Sequence, residues 1–252
     1  MQNYIFKSGG LLQIPLNMKD LFGKAIWDYH TNNNPENIIT ETCISEKDEM
    51  EVAYLFRDYH QMPLIEQKAL ELARGKILDV GCGAGSHSLY LQNKGFDVTS
   101  IDISENAVAT CKLRGLNKAF VKNILDLEAA ATYDTILLLM NGTGIFGTLK
   151  ETKKYLTMLK SLLKPNGQII IDSSDIIYMF DKDNDGGYWI PDNHYYGELV
   201  FTITYKKETE VPFPWLYLDY NTLHHAALDC GLQAELITEG EHYDYLAVLK
   251  LP

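Results

Sequence analysis

Three glycines and one carboxylate in the stretch 76–104 have the spacing of a ligand site. Gly81, Gly83 and Gly85 follow a short apolar run, and glycine lets a chain turn sharply with positive φ while a ligand lies against its backbone. The helix that begins after this loop offers unpaired N–H groups. Asp102 ends a second short predicted strand, where a carboxylate can accept hydrogen bonds from ribose hydroxyls. These residues predict a site for a cofactor that contains a nucleoside.

The pattern around these residues predicts the strand–helix–strand unit that must position them. Residues 77–80 are a short, mainly apolar run typical of a buried parallel strand. Residues 86–94 have the periodicity of a helix, and residues 97–101 are predicted to form a second strand. Asp102 then lies at the end of the second strand, beside the glycine loop.

The glycine spacing decides between two kinds of cofactor. The dinucleotide fingerprint has glycine at its first, third and sixth positions, but here the sixth position is Ser86 and the glycine is at the fifth. The stretch Asp79-x-Gly81-x-Gly83-x-Gly85 therefore resembles motif I of the class I S-adenosylmethionine-dependent methyltransferases. Two alternatives stay open: a protein that binds S-adenosylmethionine without catalysis, and an NAD-linked reductase.

The resemblance implies S-adenosyl-L-methionine as cofactor and a role for several positions. Asp79 would lie near the methionine end and Asp102 at the ribose, while Asn123 stands where the family commonly has an acid that reads the adenine edge. Ile103 would contact the adenine, with core packing as its alternative; Arg57 would pair with the cofactor's carboxylate, with a solvated helix charge as its alternative. The expected cofactor contacts are Arg57, Asp79, Gly81, Cys82, Gly83, Gly85, Asp102, Ile103, Asn123, Ile124, Asn141 and Gly142.

The fold that the resemblance implies is α/β and Rossmann-like. It has a seven-stranded, mostly parallel sheet in the order 3-2-1-4-5-7-6, with the last strand antiparallel and helices on both faces. Residues 18–30 and 45–59 are predicted to be helices of an N-terminal cap, and residues 198–206 alternate like an exposed strand. We expect one domain made of a helical cap (1–63), a cofactor-binding core (64–175), an insertion that covers the acceptor site (176–218), and a C-terminal helix with two strands (219–252).

Catalysis at such a site needs few protein groups. A sulfonium already activates its methyl group, so the enzyme must align a nucleophile and, where required, remove its proton. Candidate bases are His194, Asp175 and His60, each weighed against an ordinary surface or packing role. The branches of the family that methylate adenine and glutamine amino groups carry Asn-Pro-Pro-Tyr or Asp-Pro-Pro-Tyr at this point, whereas here Asn141 is followed by Gly-Thr-Gly. The resemblance therefore argues against those acceptors. Aromatic residues of the insertion are expected to line the acceptor pocket or to pack an extra layer: Tyr188, Trp189, Tyr195, Tyr196, Phe213 and Trp215.

Composition and charge restrict the remaining partners. The formal net charge of −12 opposes binding to phosphate backbones, so a small-molecule substrate is expected and nucleic acid is not. No segment approaches the roughly 18 apolar residues that span a bilayer, and no signal pattern is present, so a cytoplasmic protein without a membrane partner is expected. Asp181, Asp183 and Asp185 partly match a calcium loop, but a solvated acidic turn is the preferred interpretation and no metal site is expected.

Overall fold

The computed structural model describes residues 18–252. Its helices are α1 (Leu21–Thr31), α2 (Leu64–Leu72), α3 (Ser86–Asn93), α4 (Glu105–Leu113), α5 (Leu149–Leu162) and α6 (Tyr220–Asp229). Its strands are β1 (Ile38–Thr42), β2 (Asp48–Met50), β3 (Lys76–Val80), β4 (Asp97–Asp102), β5 (Ala119–Val121), β6 (Tyr133–Leu138), β7 (Leu163–Ser174), β8 (Glu198–Tyr205), β9 (Glu208–Thr209), β10 (Phe213–Leu216), β11 (Gln233–Glu239) and β12 (Asp244–Lys250). In this part of the chain no helix is long and apolar enough to cross a bilayer.

The main sheet confirms the predicted topology. Its seven strands run in the order β11-β12-β7-β6-β3-β4-β5. The five strands from β3 to β7 pair in parallel, and β12 is antiparallel to both of its neighbours. Strands that are covered by helices on both faces are apolar throughout. In β3, Leu78 packs in the same cluster as Leu156 of α5, while Ile77 packs with Ala69 of α2 on the opposite face.

The N-terminal cap is only partly helical, which corrects one prediction. The ends of helix α1 lie within one to three residues of the ends of the predicted segment 18–30. Residues 45–59, predicted to be a helix, instead contain β2 and the 3₁₀ turn Val52–Phe56, and a second 3₁₀ turn, Tyr59–Gln61, begins at their end. Strand β1 was not predicted either. Local propensity is a weak prior that tertiary pairing overrides, and here the partner strand comes from the insertion.

A second sheet joins the N-terminal cap to the insertion. Its order is β10-β8-β1-β2, with β9 paired to β8, and all of its pairs are antiparallel. Strand β8 was predicted to alternate between buried and more exposed side chains, and it does: Leu199, Ile203 and Tyr205 are buried on one face. The buried face packs against α1 and against Ala84 of the glycine loop. The two segments that precede and follow the core therefore form a single cap over it.

Candidate functional site

The glycine loop between β3 and α3 has the geometry of a ligand cradle. Gly81, Gly83 and Gly85 have φ values of 73°, 51° and 82°, which side chains rarely adopt. A Cβ at Gly83 would meet no atom within 4 Å, so this part of the backbone borders open space. A Cβ at Gly85 would lie 2.8 Å from Cys111 Sγ. Gly83 is thus open to a ligand, whereas Gly85 is required for packing on α4.

Asp102 ties the end of β4 to this loop. Its Oδ2 accepts a hydrogen bond from the Gly83 N–H (2.9 Å) and its Oδ1 accepts one from the Ser104 N–H (2.9 Å). Burial raises the pKa of Asp102, and these two hydrogen bonds oppose the rise. A carboxylate accepts about four hydrogen bonds, so both oxygens keep capacity for a ligand.

Ile103 does not pack in the core. Its side chain is 44% exposed and borders a cavity of ≈ 310 Å³. The other residues that line this cavity are Met18, Asp20, Ser104, Glu105 and Asn106. The core-packing alternative for Ile103 is therefore wrong, and its apolar surface is available beside Asp102.

Asp79 and Cys82 support the loop from within the protein. The buried Asp79 Oδ2 accepts a hydrogen bond of 2.6 Å from Ser88 Oγ in α3, and burial raises its pKa. Cys82 Sγ lies 3.8 Å from Cys111 Sγ. The hydrogen bond to Cys111 and burial raise the pKa of Cys82 well above its usual value, so the thiol is neutral.

Asn123 and Ile124 follow β5, as predicted, but their side chains are engaged locally. Asn123 Oδ1 accepts a hydrogen bond of 2.9 Å from the Leu125 N–H and so caps a short 3₁₀ turn. Ile124 is buried in the main core. An adenine amine at this position would have to share the Asn123 oxygen with the cap, a local hydrogen bond that Asn commonly makes.

The turn after β6 holds two residues in an unusual conformation. Met140 and Asn141 have φ values of 65° and 60°. The left-handed region costs a residue such as Met about 1–2 kcal/mol, whereas Asn tolerates it better. Asp172, at the end of β7, holds the turn: its Oδ2 accepts from the Met140 N–H (3.0 Å) and its Oδ1 from the Gly142 N–H (2.9 Å). Burial raises the pKa of Asp172 to about 7. Asn141 Oδ1 also accepts a hydrogen bond from Ser173 Oγ (3.1 Å).

Arg57 belongs to a buried cluster of charged side chains. Its guanidinium pairs with the Glu66 carboxylate and lies over the Tyr54 ring, with Cζ 3.7 Å from the ring centroid. His87 Nε2 is 2.6 Å from Glu66 Oε2. Arg57, Glu66 and His87 are all less than 9% exposed, so the solvated-charge alternative for Arg57 is wrong. Arg57 Nε has no hydrogen-bond partner within the described part of the chain.

His87 and Glu66 shift each other's pKa values. Burial alone would lower the pKa of His87, but its hydrogen bond to Glu66 and the charges of Glu66 and Asp79 outweigh burial and raise it. Burial alone would raise the pKa of Glu66, but His87 and Arg57 outweigh burial and lower it. No local sequence pattern joins positions 57, 66 and 87, and sequence reasoning missed Glu66 and His87.

The candidate bases occupy three different settings. His194 is exposed and its Nδ1 lies 2.6 Å from Asn193 Oδ1; His60 is also exposed. Asp175 is half-buried and accepts a hydrogen bond of 2.8 Å from the Tyr196 hydroxyl. Among the hydrogen bonds of residues 18–252, none joins any two of these three candidates.

An aromatic wall covers the turn after β6. We use this name for four residues: Phe201, Phe213, Trp215 and Tyr217. The ring centroid of Phe201 lies 6.1–6.4 Å from the ring centroids of the other three. All four side chains are half-buried. A Cβ at Gly144 would lie 1.9 Å from the Trp215 indole, so Trp215 rests directly on this backbone. Of the predicted pocket aromatics, Phe213 and Trp215 belong to the wall, and Phe201 and Tyr217 were missed.

The other predicted aromatics lie elsewhere in the insertion. Trp189 is 73% exposed. The Lys182 ammonium lies over the Tyr188 ring, with Nζ 5.1 Å from the ring centroid. Tyr195 donates a hydrogen bond of 2.6 Å to Asp219, and burial raises the pKa of Tyr195 far above its usual value.

The acidic segment at 181–185 closes on itself. Asp183 Oδ1 accepts hydrogen bonds from the N–H groups of Asp185 (3.0 Å) and Gly187 (2.7 Å). Across the described residues, no group of three or more His, Cys, Asp or Glu side chains is arranged to hold a metal ion. The geometry fits a turn stabilised by its own carboxylate.

Comparison with known proteins identifies the family of this chain. A family model described as a methyltransferase domain matches residues 72–214, more than half of the chain. The structure of a SAM-dependent methyltransferase from Bacteroides fragilis in complex with S-adenosyl-L-homocysteine is 45% identical, with a TM-score of 0.85 over 92% of this chain and 95% of that one.

Two curated relatives are more distant. A ubiquinone biosynthesis O-methyltransferase from Rickettsia conorii is 29% identical over 45% of this chain and 41% of its own length. A glycine/sarcosine N-methyltransferase from Halorhodospira halochloris is 31% identical over 50% of this chain and 48% of its own length. The chain spans about half the length of the curated relatives it matches. The family model and the Bacteroides structure show that the chain belongs to the class I S-adenosylmethionine-dependent methyltransferases.

Proposed function

We propose that this protein transfers a methyl group from S-adenosylmethionine to a small-molecule acceptor. The observation that carries the proposal is the open backbone at Gly83, which is held by Asp102 at the end of the neighbouring strand. A side chain at Gly83 would fill the space that a nucleoside needs beside that carboxylate. When bound, S-adenosylmethionine supplies a methyl group activated by a sulfonium.

The residues around the loop fit the parts of this cofactor. Asp102 keeps acceptor capacity for the ribose hydroxyls, and the exposed face of Ile103 offers an apolar surface to the adenine. Arg57 carries a positive charge and a buried Nε without a partner, which suits the cofactor's carboxylate. Asn141 and Gly142 border the crevice beyond the carboxyl ends of the parallel strands, where ligands of such sheets bind.

The aromatic wall is the proposed acceptor site. Trp215 lies against Gly144, immediately beyond the turn after β6, and Phe213 packs in the cluster that contains Met140 and Ala84 of the glycine loop. An apolar wall with a few polar groups is typical of small-molecule sites. Acceptor atoms in the relatives include oxygen and nitrogen, to judge from their names, and Asp175, His194 and His60 stay the candidate bases for either.

Calorimetric titration tests the cofactor half of the proposal. We expect S-adenosylmethionine and S-adenosylhomocysteine to bind, NAD not to bind, and Asp102→Ala to abolish binding. Asp97→Ala is the matched control, because Asp97 starts the same strand and is paired on the surface with Lys118. Binding of NAD with no response to either sulfur nucleoside would favour the reductase alternative and refute the proposal.

A methyl-transfer screen tests the acceptor half. Cofactor labelled in its methyl group would be incubated with fractionated metabolite extracts and the wild-type protein, Trp215→Leu or Trp189→Leu. We expect a labelled product with the wild type and with the exposed-site control Trp189→Leu, and much less with Trp215→Leu. Cofactor binding without any labelled product would favour the non-catalytic alternative.

A further inference from the structure

Both hydrogen bonds that the Asp172 carboxylate accepts within residues 18–252 come from the turn after β6. Each of its oxygens accepts one backbone N–H, from Met140 and from Gly142, and these two donors flank Asn141. The turn contains two consecutive residues other than glycine in the left-handed region. Such a conformation persists only where its surroundings fix it, and it is often found at functional sites.

The turn is connected mechanically to the glycine loop. The 3₁₀ segment Gly142–Phe146 follows it directly, and Ile145 Cδ1 lies 3.0 Å from the point where a Gly81 Cβ would stand. Met140 packs in the same cluster as Ala84 of the loop. A shift of the turn would therefore move Met140 and Ile145, the side chains that border the glycine loop on the side of β6.

The surroundings of Asp172 bring its ionisation close to neutral pH. The carboxyl is buried, and burial raises its pKa to about 7. Four titratable side chains interact with it electrostatically: Glu66 of α2, His87 of α3, Tyr54 of the 3₁₀ turn Val52–Phe56, and Tyr245 of β12. The negative charge of Glu66 favours the neutral acid and the charge of His87 opposes it.

We propose that Asp172 is a positioning residue whose ionised carboxylate holds the Met140–Asn141 turn in the geometry that cofactor binding requires. This inference rests on the proposed function. The neutral acid carries a proton on one oxygen and is a poor acceptor there, so one of the two N–H groups loses its partner. A buried N–H without a partner is unfavourable, and the turn relaxes away from the loop.

Cofactor affinity at different pH values tests this role. S-adenosylhomocysteine binding would be measured calorimetrically between about pH 6 and about pH 8.5 for the wild type and for Asp172→Asn. If only the ionised form binds well, wild-type affinity falls by up to about tenfold for each pH unit below the pKa. Asp172→Asn should bind weakly with no pH dependence. Asp134→Asn is the matched control, since Asp134 accepts the Lys76 N–H (2.7 Å) outside this crevice, and it should keep the wild-type profile.

His87→Gln separates the two groups that titrate in this range. The pH dependence should persist in His87→Gln, with its midpoint moved to higher pH because the His87 charge no longer opposes the neutral acid of Asp172; if the pH dependence disappears there and remains in Asp172→Asn, the proposal is wrong. The amide protons of Met140 and Gly142 give a readout that needs no cofactor. Relative to an amide in β3, their hydrogen-exchange protection should fall below about pH 7, and protection that is equal on both sides of this pH would refute the role of Asp172. Absence of S-adenosylhomocysteine binding at every pH would refute the proposed function instead, and the exchange data would still decide on Asp172.

Discussion

Glu66→Gln tests whether the buried cluster around Arg57 stabilises the fold through its charges. Glu66 is the only carboxylate in hydrogen-bond contact with either Arg57 or His87 among residues 18–252. Removing one partner of a buried ion pair costs about 3–5 kcal/mol, because the remaining charge stays buried. Glutamine keeps the shape and one hydrogen bond, so we expect a loss near the lower figure. In a domain of this size about 3 kcal/mol corresponds to a decrease in Tm of roughly 6–12 °C.

The pH dependence gives the prediction a sign. The folded pKa of His87 is raised from 6.5, so its contribution is complete below that value and disappears as the pH rises through the folded pKa. The folded pKa of Glu66 is lowered from 4.5, so its contribution is present above that value and disappears as the pH falls through the folded pKa. The cluster therefore stabilises the protein most between about pH 4.5 and about pH 6.5.

Thermal unfolding followed by circular dichroism at about pH 5.5 and about pH 8.5 measures both effects. The difference in Tm between the wild type and Glu66→Gln should be larger at the lower pH. Glu71→Gln is the matched control on the same helix, because Glu71 is exposed and its ion pair with Lys68 is a surface pair, which contributes little. A decrease in Tm that is equal at the two pH values, or equal in the two variants, would refute the reasoning.

Three further predictions concern the glycine loop, the aromatic wall and one candidate base. Gly85→Ala should destabilise the protein by about 2–4 kcal/mol in chemical denaturation, because the residue needs positive φ and its Cβ would lie 2.8 Å from Cys111 Sγ; a loss below about 1 kcal/mol would contradict this packing. Gly144→Ala should displace Trp215, whose indole lies 1.9 Å from the new Cβ, and so change tryptophan fluorescence and acceptor KM while cofactor affinity, measured by titration, stays constant. His194→Ala should leave Tm unchanged, since His194 is exposed, and a decrease in kcat at constant Tm would identify it as the base.

The main sheet and the candidate cofactor residues could both be predicted from the sequence, and the structure confirms the sheet. The glycine loop, Asp102 and Ile103 lie within one strand–helix–strand unit, so their proximity follows from local geometry. The order of the seven strands was predicted from the family resemblance that this unit carries. The acceptor half was not determined in this way, because no motif covers the cap or the insertion.

The arrangement of the cap and of the buried polar groups follows from long-range contacts that no local pattern predicts. Strand β1 forms because β8, more than 150 residues later in the chain, pairs with it, and no local propensity of residues 38–42 carries that information. Arg57, Glu66 and His87 meet because a 3₁₀ segment, α2 and α3 pack together. Asp172 reaches the Met140–Asn141 turn because β7 and β6 are neighbours in the sheet. Burial, and with it the pKa of each of these groups, exists only after the chain has folded.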